Sequence, residues 1–133
     1  MSTTCVLYHS GYGHTSKVAE AVAKGANAEL IAIDPNGEID EASWKKLDDA
    51  DAIIFGSPTY MGMVSWQFKK VADASSQRWY TRQWQNKLAA GFTCSLSPSG
   101  DKLSTLQYLC TFAMQHGMLW AGQSHINDGN LNR

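Results

Sequence analysis

The stretch Tyr8-His9-Ser10-Gly11-Tyr12-Gly13-His14-Thr15-Ser16-Lys17 decides how this chain folds. It follows a short apolar run and precedes a segment with apolar residues at helical spacing, so it links a β-strand directly to an α-helix. A turn rich in glycine and hydroxyl groups leaves backbone N–H groups free at the positive end of the helix dipole. We therefore predict that this turn holds a phosphate group.

The composition limits the classes of function. A length of 133 residues predicts one domain, 1–133. The 11 basic and 12 acidic residues give a net charge of −1, which argues against a nucleic-acid partner and against an anionic membrane surface. No apolar run approaches the roughly 18 residues of a membrane span, and no leader peptide is apparent.

Three cysteines, Cys5, Cys94 and Cys110, are odd in number and lack C-x-x-C spacing. All three stand in apolar surroundings, so we expect reduced core residues of a cytoplasmic protein and no metal site.

Strand and helix signals alternate along the chain, which predicts an α/β fold with a doubly wound parallel sheet. The apolar runs predict strands at 4–8, 29–33, 52–56, 88–93 and 118–121, and the helical patterns predict helices at 14–28, 41–47, 64–74 and 103–116. Residues 122–133 are polar and carry no helical stripe, so the final helix of such a fold is expected to be absent or truncated.

Three loops are expected to converge on one ligand. In an open α/β sheet the ligand binds at the carboxyl ends of the strands. The loops that leave the first, third and fourth strands are 10–16, 57–63 and 94–101, and each is rich in hydroxyl groups and glycine. The second loop adds an aromatic ring and two methionines. This chemistry suits a ligand with a phosphate at one end and a flat, polarisable ring at the other.

The phosphate motif narrows the type of nucleotide. No G-x-x-x-x-G-K-[ST] motif is present, which excludes a P-loop nucleotidase. Residues 11–16 match half of the dinucleotide fingerprint, with Ser16 at its third glycine, and Asp34 stands near the position of a ribose-binding carboxylate. Asp34 equally begins the Asp-Pro-Asn-Gly turn. The loop hydroxyls favour a phosphate monoester, hence a mononucleotide. Ser57 stands where a response regulator would need its phosphoacceptor Asp, which excludes that class.

Three segments carry a resemblance to a known family: 6–15 (Val-Leu-Tyr-His-Ser-Gly-Tyr-Gly-His-Thr), 54–62 (Ile-Phe-Gly-Ser-Pro-Thr-Tyr-Met-Gly) and 115–118 (Gln-His-Gly-Met). They resemble the flavodoxin superfamily, and within it the Trp-repressor-binding-protein-like NAD(P)H:quinone oxidoreductases. The resemblance extends from residue 4 to about residue 121. It implies a flavodoxin-like three-layer sandwich with a five-stranded parallel sheet of order 2-1-3-4-5.

The resemblance also implies a function. FMN would be the cofactor, NAD(P)H the electron donor and a quinone-like small molecule the two-electron acceptor. The expected protein is a cytoplasmic homo-oligomer, a dimer or a tetramer, with no nucleic-acid or membrane partner. Alternatives are a flavodoxin-type electron carrier and a flavin-free interaction domain. Carriers are usually strongly acidic, and a net charge of −1 gives little electrostatic steering.

The family's binding roles carry over by position. The implied cofactor-binding residues are Ser10, Gly11, Tyr12, Gly13, His14 and Thr15 at the phosphate, Pro58, Thr59, Tyr60, Met61, Gly62 and Met63 around the flavin ring, and Ser95, Leu96, Ser97, Pro98, Ser99 and Gly100 on the other side.

Two catalytic residues are implied in the same way. His116 would line the space above the flavin, and we expect it to donate to a quinone oxygen as negative charge develops there. Trp79 would wall the substrate site of a neighbouring subunit. A structural alternative for His116 is that it complements the dipole at the end of its helix. Arg78 and Arg82 are expected to be solvated, with contact to an anionic group of the cofactor as the alternative.

Overall fold

Residues 1–124, which the computed structural model describes, form alternating strands and helices. The strands are β1 (Thr4–Tyr8), β2 (Glu29–Ala32), β3 (Ala52–Tyr60), β4 (Met63–Val64), β5 (Leu88–Cys94) and β6 (Leu119–Trp120). The helices are α1 (His14–Ala26), α2 (Glu41–Asp49), α3 (Trp66–Ala74), α4 (Ser76–Tyr80) and α5 (Leu103–Gln115).

The strands pair in the order β2-β1-β3-β5-β6, and every pair in that series is parallel. The two-residue β4 pairs antiparallel with β3, off this path. Without β4, the order is the predicted 2-1-3-4-5. The predicted flavodoxin-like fold is therefore confirmed.

Side-chain alternation along β1 creates the layers. Val6 and Tyr8 pack against Ala19 and Ala23 of α1 on one face of the sheet. Residues on the other face join a larger cluster that includes the apolar stripes of α2, α3 and α5: Cys5, Leu7, Trp44, Leu47, Phe55, Phe68, Val71, Leu109, Phe112 and Ala113. Because both faces of the central strands are covered, these strands read as continuous apolar runs.

The segment after residue 56 differs most from the prediction. It was expected to be a loop, but Ser57 and Pro58 continue β3 and pair with Thr93 and Cys94 of β5. Tyr60 then turns back into β4 through a two-residue hairpin. Pro58 hides this extension in the sequence, because proline normally argues against a central strand.

The hairpin turn itself has a left-handed backbone. Met61 and Gly62 have φ values of 50° and 78°, as a two-residue turn of type I′ requires. The turn fixes the direction of the neighbouring Tyr60.

Helix ends differ from the prediction by one or two residues. Helix α1 ends at Ala26 because Asn27 adopts a left-handed conformation with φ of 49°. The five-residue α4 was not predicted, since so short a helix shows no apolar period. The prediction about the final helix concerns 122–133, and residues 125–133 lie outside the described part of the chain. No described helix has both the length and the apolar character needed to cross a membrane.

An ion pair joins α2 to α4. The Nε of Arg78 donates to both carboxylate oxygens of Asp48, at 2.9 and 3.2 Å, and the guanidinium lies 4.1 Å from the centre of the Trp44 ring. The Nε1 of Trp84 donates to the same carboxylate at 2.8 Å. The expectation that Arg78 is solvated is therefore wrong, because its partner is thirty residues away in sequence.

Candidate functional site

Ser10 organises the loop between β1 and α1. Its Oγ accepts hydrogen bonds from the backbone N–H groups of Gly13 and Ser16, both at 3.1 Å. Gly13, at the N-cap of α1, has a φ of 94°, which favours glycine. Ser10 thus closes the loop from within, and no side chain caps the helix at the N-cap position itself.

The start of α1 offers donors without acceptors. Within residues 1–124, no hydrogen-bond acceptor is found for the backbone N–H groups of Gly11, Tyr12, His14 or Thr15. The first turn of α1 carries no acidic residue that could neutralise the helix dipole. Such an arrangement of free N–H groups favours an anion, and the phosphate site at this loop remains a prediction.

A cavity of about 460 Å³ lies beside this loop at the carboxyl edge of the sheet. Its volume is in the range of small-molecule sites. The residues that line it come from the first loop, from the end of β3 and from the end of β5 with the loop that follows: Tyr12, His14, Thr15, Pro58, Thr59, Tyr60, Cys94, Ser95 and Leu96. The three predicted loops therefore do converge.

Hydroxyl groups tie the walls of this cavity together. Thr59 Oγ1 lies 2.7 Å from Thr93 Oγ1 and 2.8 Å from Thr105 Oγ1, which joins β3 to β5 and α5. Thr15 Oγ1 lies 3.0 Å from the sulfur of Cys94, which joins α1 to β5. Thr15, Thr59 and Thr105 are buried, and a satisfied buried network of this kind rigidifies its surroundings.

Tyr60 leans across the phosphate loop. A Cβ built on Gly11 would lie 2.2 Å from the Tyr60 hydroxyl oxygen, so only glycine leaves room for the ring in this position. Tyr12 meets the Tyr60 ring edge to face, with 6.2 Å between the ring centroids. Burial raises the pKa of the Tyr60 phenol above its usual value.

The loop after β5 is held by its own polar contacts. Ser95 Oγ donates to the Asp101 carboxylate at 2.8 Å and lies 3.1 Å from the carbonyl oxygen of Ser97. The hydrogen bond from Ser95 lowers the pKa of Asp101 below its usual value. Lys102 also donates to the Ser97 carbonyl.

Not every predicted binding residue lines the cavity. Met61 is fully exposed at the hairpin turn, and Met63 lines a neighbouring groove instead. Residues 97–100 form the exposed outer part of their loop and do not line the cavity. Cys94 lines it although we expected a core residue. Its place at the end of β5 was the available signal, and its apolar neighbours in sequence concealed it.

The structure does not bring His116 and Trp79 into this cavity. His116 immediately precedes Gly117, whose carbonyl accepts from Asn86 N at 2.9 Å, just before β5 begins at Leu88. The cavity residue Cys94 ends the same strand, and seven residues at about 3.3 Å each place the two ends roughly 20 Å apart.

His116 and Trp79 line a separate cavity of about 260 Å³ between α3, α4 and α5. His116 is 2% exposed, and burial lowers its pKa to about 4. Its Nε2 lies 2.8 Å from Ser75 Oγ, and Nδ1 has no partner among the described residues. Within one chain, His116 is a buried neutral histidine at the far edge of the sheet from the phosphate loop.

The sequence matches a family model along most of its length. The match covers residues 9–130, and the family is described as NADPH-dependent FMN reductase. The chain belongs to this family. The predicted kinship with flavin proteins is confirmed, and the predicted cofactors, FMN with NAD(P)H as electron donor, agree with the family's description.

Individual relatives bear out the same kinship. The chain is 56% identical over 120 residues to a protein named Flavodoxin FldP from Pseudomonas aeruginosa (strain UCBPP-PA14). The aligned region covers 90% of this chain and 65% of that protein. The chain is 33% identical to an NAD(P)H dehydrogenase (quinone) from Archaeoglobus fulgidus, over 92% of this chain and 76% of the relative. The chain thus spans about two thirds to three quarters of the length of these proteins.

A solved structure shares the fold closely. The crystal structure of a flavodoxin, WrbA-like protein from Agrobacterium tumefaciens superimposes with a TM-score of 0.90 at 62% identity, covering 91% of this chain and 77% of that one. The predicted resemblance to Trp-repressor-binding-protein-like flavoproteins is therefore confirmed.

Proposed function

We propose that this chain binds FMN at the carboxyl edge of its sheet and transfers two electrons from NAD(P)H to a quinone-like acceptor. One observation carries the proposal. The N–H groups at the start of α1 lack acceptors among the described residues, and they stand at one end of a 460 Å³ cavity with aromatic and apolar walls. A phosphate at one end and a flat ring at the other fit these two environments.

The residues of the first loop would hold the FMN phosphate. Ser10 uses its Oγ to fix the loop through Gly13 and Ser16, so the backbone N–H groups of Gly11, Tyr12, His14 and Thr15 are free for a dianion. The uncapped helix dipole adds favourable charge.

The rest of the cavity would hold the flavin ring. Tyr60 and Tyr12 supply aromatic walls, and Pro58 and Leu96 supply apolar ones. The hydroxyl groups of Thr59, Thr93 and Thr105 are hydrogen-bonded to one another, which keeps these walls in place. Aromatic and apolar walls exclude water from the place where electrons are exchanged.

FMN, when bound, would supply the hydride and electron-transfer chemistry. The net reaction is NAD(P)H + H⁺ + quinone → NAD(P)⁺ + hydroquinone. The protein contributes binding, orientation and the exclusion of water.

A one-electron carrier is the second candidate. The relative that shares 56% identity is named a flavodoxin, and a carrier needs only the cofactor site without a site for NAD(P)H. The balanced charge of this chain favours the enzyme, because it offers little steering toward a charged protein partner.

His116 and Trp79 enter the proposal only through assembly. Both lie far from the phosphate loop of their own chain, so a role at a flavin requires a second chain whose cofactor edge faces their cavity. We therefore extend the proposal to a homo-oligomer. If assembly completes the site, dilution to monomers and His116→Ala should lower quinone turnover while FMN stays bound.

The visible spectrum of the purified full chain tests the proposal. FMN bands that bleach with NADH or NADPH and return on addition of benzoquinone support the enzyme. FMN bands that NAD(P)H does not bleach, but that dithionite reduces in two resolved one-electron steps, support the carrier. Colourless protein that ignores added FMN contradicts both and leaves the flavin-free interaction domain.

A further inference from the structure

A second groove adjoins the cavity just described. Its volume is about 630 Å³, and Tyr60 lines both spaces. Tyr60 and Met63 are opposite each other in the β3–β4 hairpin, so their side chains lie on the same face of it. Tyr60 lines both the cavity and the groove, whereas Met63 lines only the groove. The groove therefore begins where the cavity ends.

Four of the seven residues that line this groove, including Tyr60, are apolar or aromatic. Met63 and Val64 of β4 and Trp66 at the start of α3 line it. Val64 is buried, whereas Trp66 is 60% exposed, an unusual exposure for the largest apolar side chain.

The three charged residues that line the groove, Lys69, Lys70 and Asp73, already have partners. Lys69 pairs with Asp73, and Lys70 pairs with Glu38 at 2.8 Å and also donates to the carbonyl of Asn36 at 2.9 Å. Both ammonium groups are paired with carboxylates, and the alkyl stem of a lysine can cover apolar surface while its charged end stays in water. A charged ligand would have to compete with these pairs. An uncharged apolar ligand would not.

We infer that this groove binds the hydrocarbon side chain of the quinone acceptor, so that the preferred substrates are quinones with an alkyl or isoprenoid tail. The inference rests on the proposed function, because the quinone ring must meet a flavin held in the cavity on the other side of Tyr60. Binding of the tail is equal before and after electron transfer, so it lowers KM and leaves kcat unchanged.

The test uses the FMN-loaded full chain and two quinones that share one ring. One is 2,3-dimethoxy-5-methyl-benzoquinone, and the other carries a ten-carbon alkyl chain on that ring, below its micelle concentration. Each buried methylene strengthens binding about fourfold, so partial burial of the tail should lower KM by about tenfold or more. The kcat values should agree.

The variant Trp66→Gln distinguishes binding of the tail in the groove from non-specific hydrophobic binding of the tailed quinone. It should raise the KM of the tailed quinone by about fivefold or more, by removal of apolar contact area, and leave the KM of the tail-free quinone unchanged. Tyr80→Gln is the matched control, because Tyr80 is an exposed aromatic residue in α4 that does not line the groove. It should change neither value.

A redox-inert probe gives a readout that does not depend on turnover. Geraniol, a two-isoprene alcohol, should bind the FMN-loaded chain in calorimetry, compete with the tailed quinone but not with the tail-free one, and bind more weakly to Trp66→Gln.

The two proposals fail in different ways. If the tail-free quinone is not reduced at all, the proposed function is wrong, and geraniol binding still reports on the groove. If the tail-free quinone is reduced but the tail brings no advantage, or if Trp66→Gln keeps that advantage, the inference is wrong. If Trp66→Gln only dissociates an oligomer in sedimentation, the groove is an interface between copies, which also overturns it.

Discussion

The Tyr60 hydroxyl occupies the space that a side chain at Gly11 would need. A Cβ on Gly11 would lie 2.2 Å from that oxygen, although the two residues are far apart in sequence. The contact joins the phosphate loop to the β3–β4 hairpin. The phosphate loop and the hairpin, two of the three segments around the proposed FMN site, can therefore approach this closely only because residue 11 is a glycine.

Gly11→Ala should weaken FMN binding without unfolding the protein. The phenol is the end of a movable side chain, so it can swing away, and we expect a change in Tm of no more than about 3 °C. The displaced ring loses an aromatic contact worth about 0.5–1.5 kcal/mol, which corresponds to as much as about tenfold in affinity for FMN. Fluorescence titration with FMN measures the loss.

Gly25→Ala is the control for that change, since nothing lies within 4 Å of a Cβ at Gly25. In a Tyr60→Ala background, Gly11→Ala should have no further effect on FMN affinity. An undiminished effect in that background would show that the loop itself, and not Tyr60, senses the methyl group.

Ser10→Asp should abolish FMN binding while the FMN-free protein remains folded. A carboxylate at this position still accepts hydrogen bonds from Gly13 and Ser16 and complements the dipole of α1, so the thermal stability of the FMN-free chain should be retained. The same negative charge repels the phosphate. Ser76→Asp places an equal charge at an exposed helix start that does not line the cavity, and it should keep FMN. Yellow protein after Ser10→Asp would refute this phosphate site.

The free energy of unfolding should fall between pH 6.5 and pH 4 because of His116. Burial lowers the pKa of this histidine from 6.5 to about 4 in the folded protein. In that window the unfolded chain binds more protons than the folded one, so acid destabilises the fold, and above pH 6.5 this contribution no longer changes. The steepest slope from one group is about 1.4 kcal/mol per pH unit.

Urea unfolding of wild type and His116→Gln from pH 4.5 to pH 7.5 measures this contribution. Glutamine can still reach Ser75 but cannot titrate, so the variant should lose stability less steeply with acid. Some slope should remain, because burial also lowers the pKa of His9. Parallel curves for the two proteins would contradict a buried neutral His116.

Arg78→Met should destabilise the fold by about 1–3 kcal/mol. It removes the charge-assisted hydrogen bonds to Asp48 and the stacking over Trp44, and it leaves a half-buried carboxylate with Trp84 as its remaining side-chain donor. The side chains of Arg78 and Asp48 are only 21% and 22% exposed. Chemical denaturation measures the change.

Lys45→Met is the matched control for Arg78→Met. It breaks the ion pair between Lys45 and Asp49, in which the two side chains are 75% and 63% exposed. The free energy of unfolding should fall by less than about 0.5 kcal/mol. If both variants lost the same free energy of unfolding, the partly buried Arg78–Asp48 pair would stabilise the fold no more than the exposed Lys45–Asp49 pair.

Local patterns in the sequence determined the fold class and pointed to the loop at which we propose that a phosphate binds. The β1–loop–α1 unit depends on apolar spacing and on glycine and hydroxyl residues within about ten positions, and parallel strands bring their carboxyl ends to one edge. The convergence of three loops followed from these rules, as did the proposal of an anion site beside Ser10, whereas the strand order was expected from the family resemblance. Pro58, read by the same local rules, concealed the extension of β3.

The tertiary structure decided which distant side chains meet. The sequence contains no local signal that Tyr60 lies over Gly11, that Arg78 pairs with Asp48, or that Tyr60 separates two adjoining spaces. Nor does an H-G-M motif reveal that its histidine lies at the opposite edge of the sheet from the phosphate loop. Backbone conformation is set by near neighbours in the chain, whereas contacts between distant residues depend on how helices pack across the sheet.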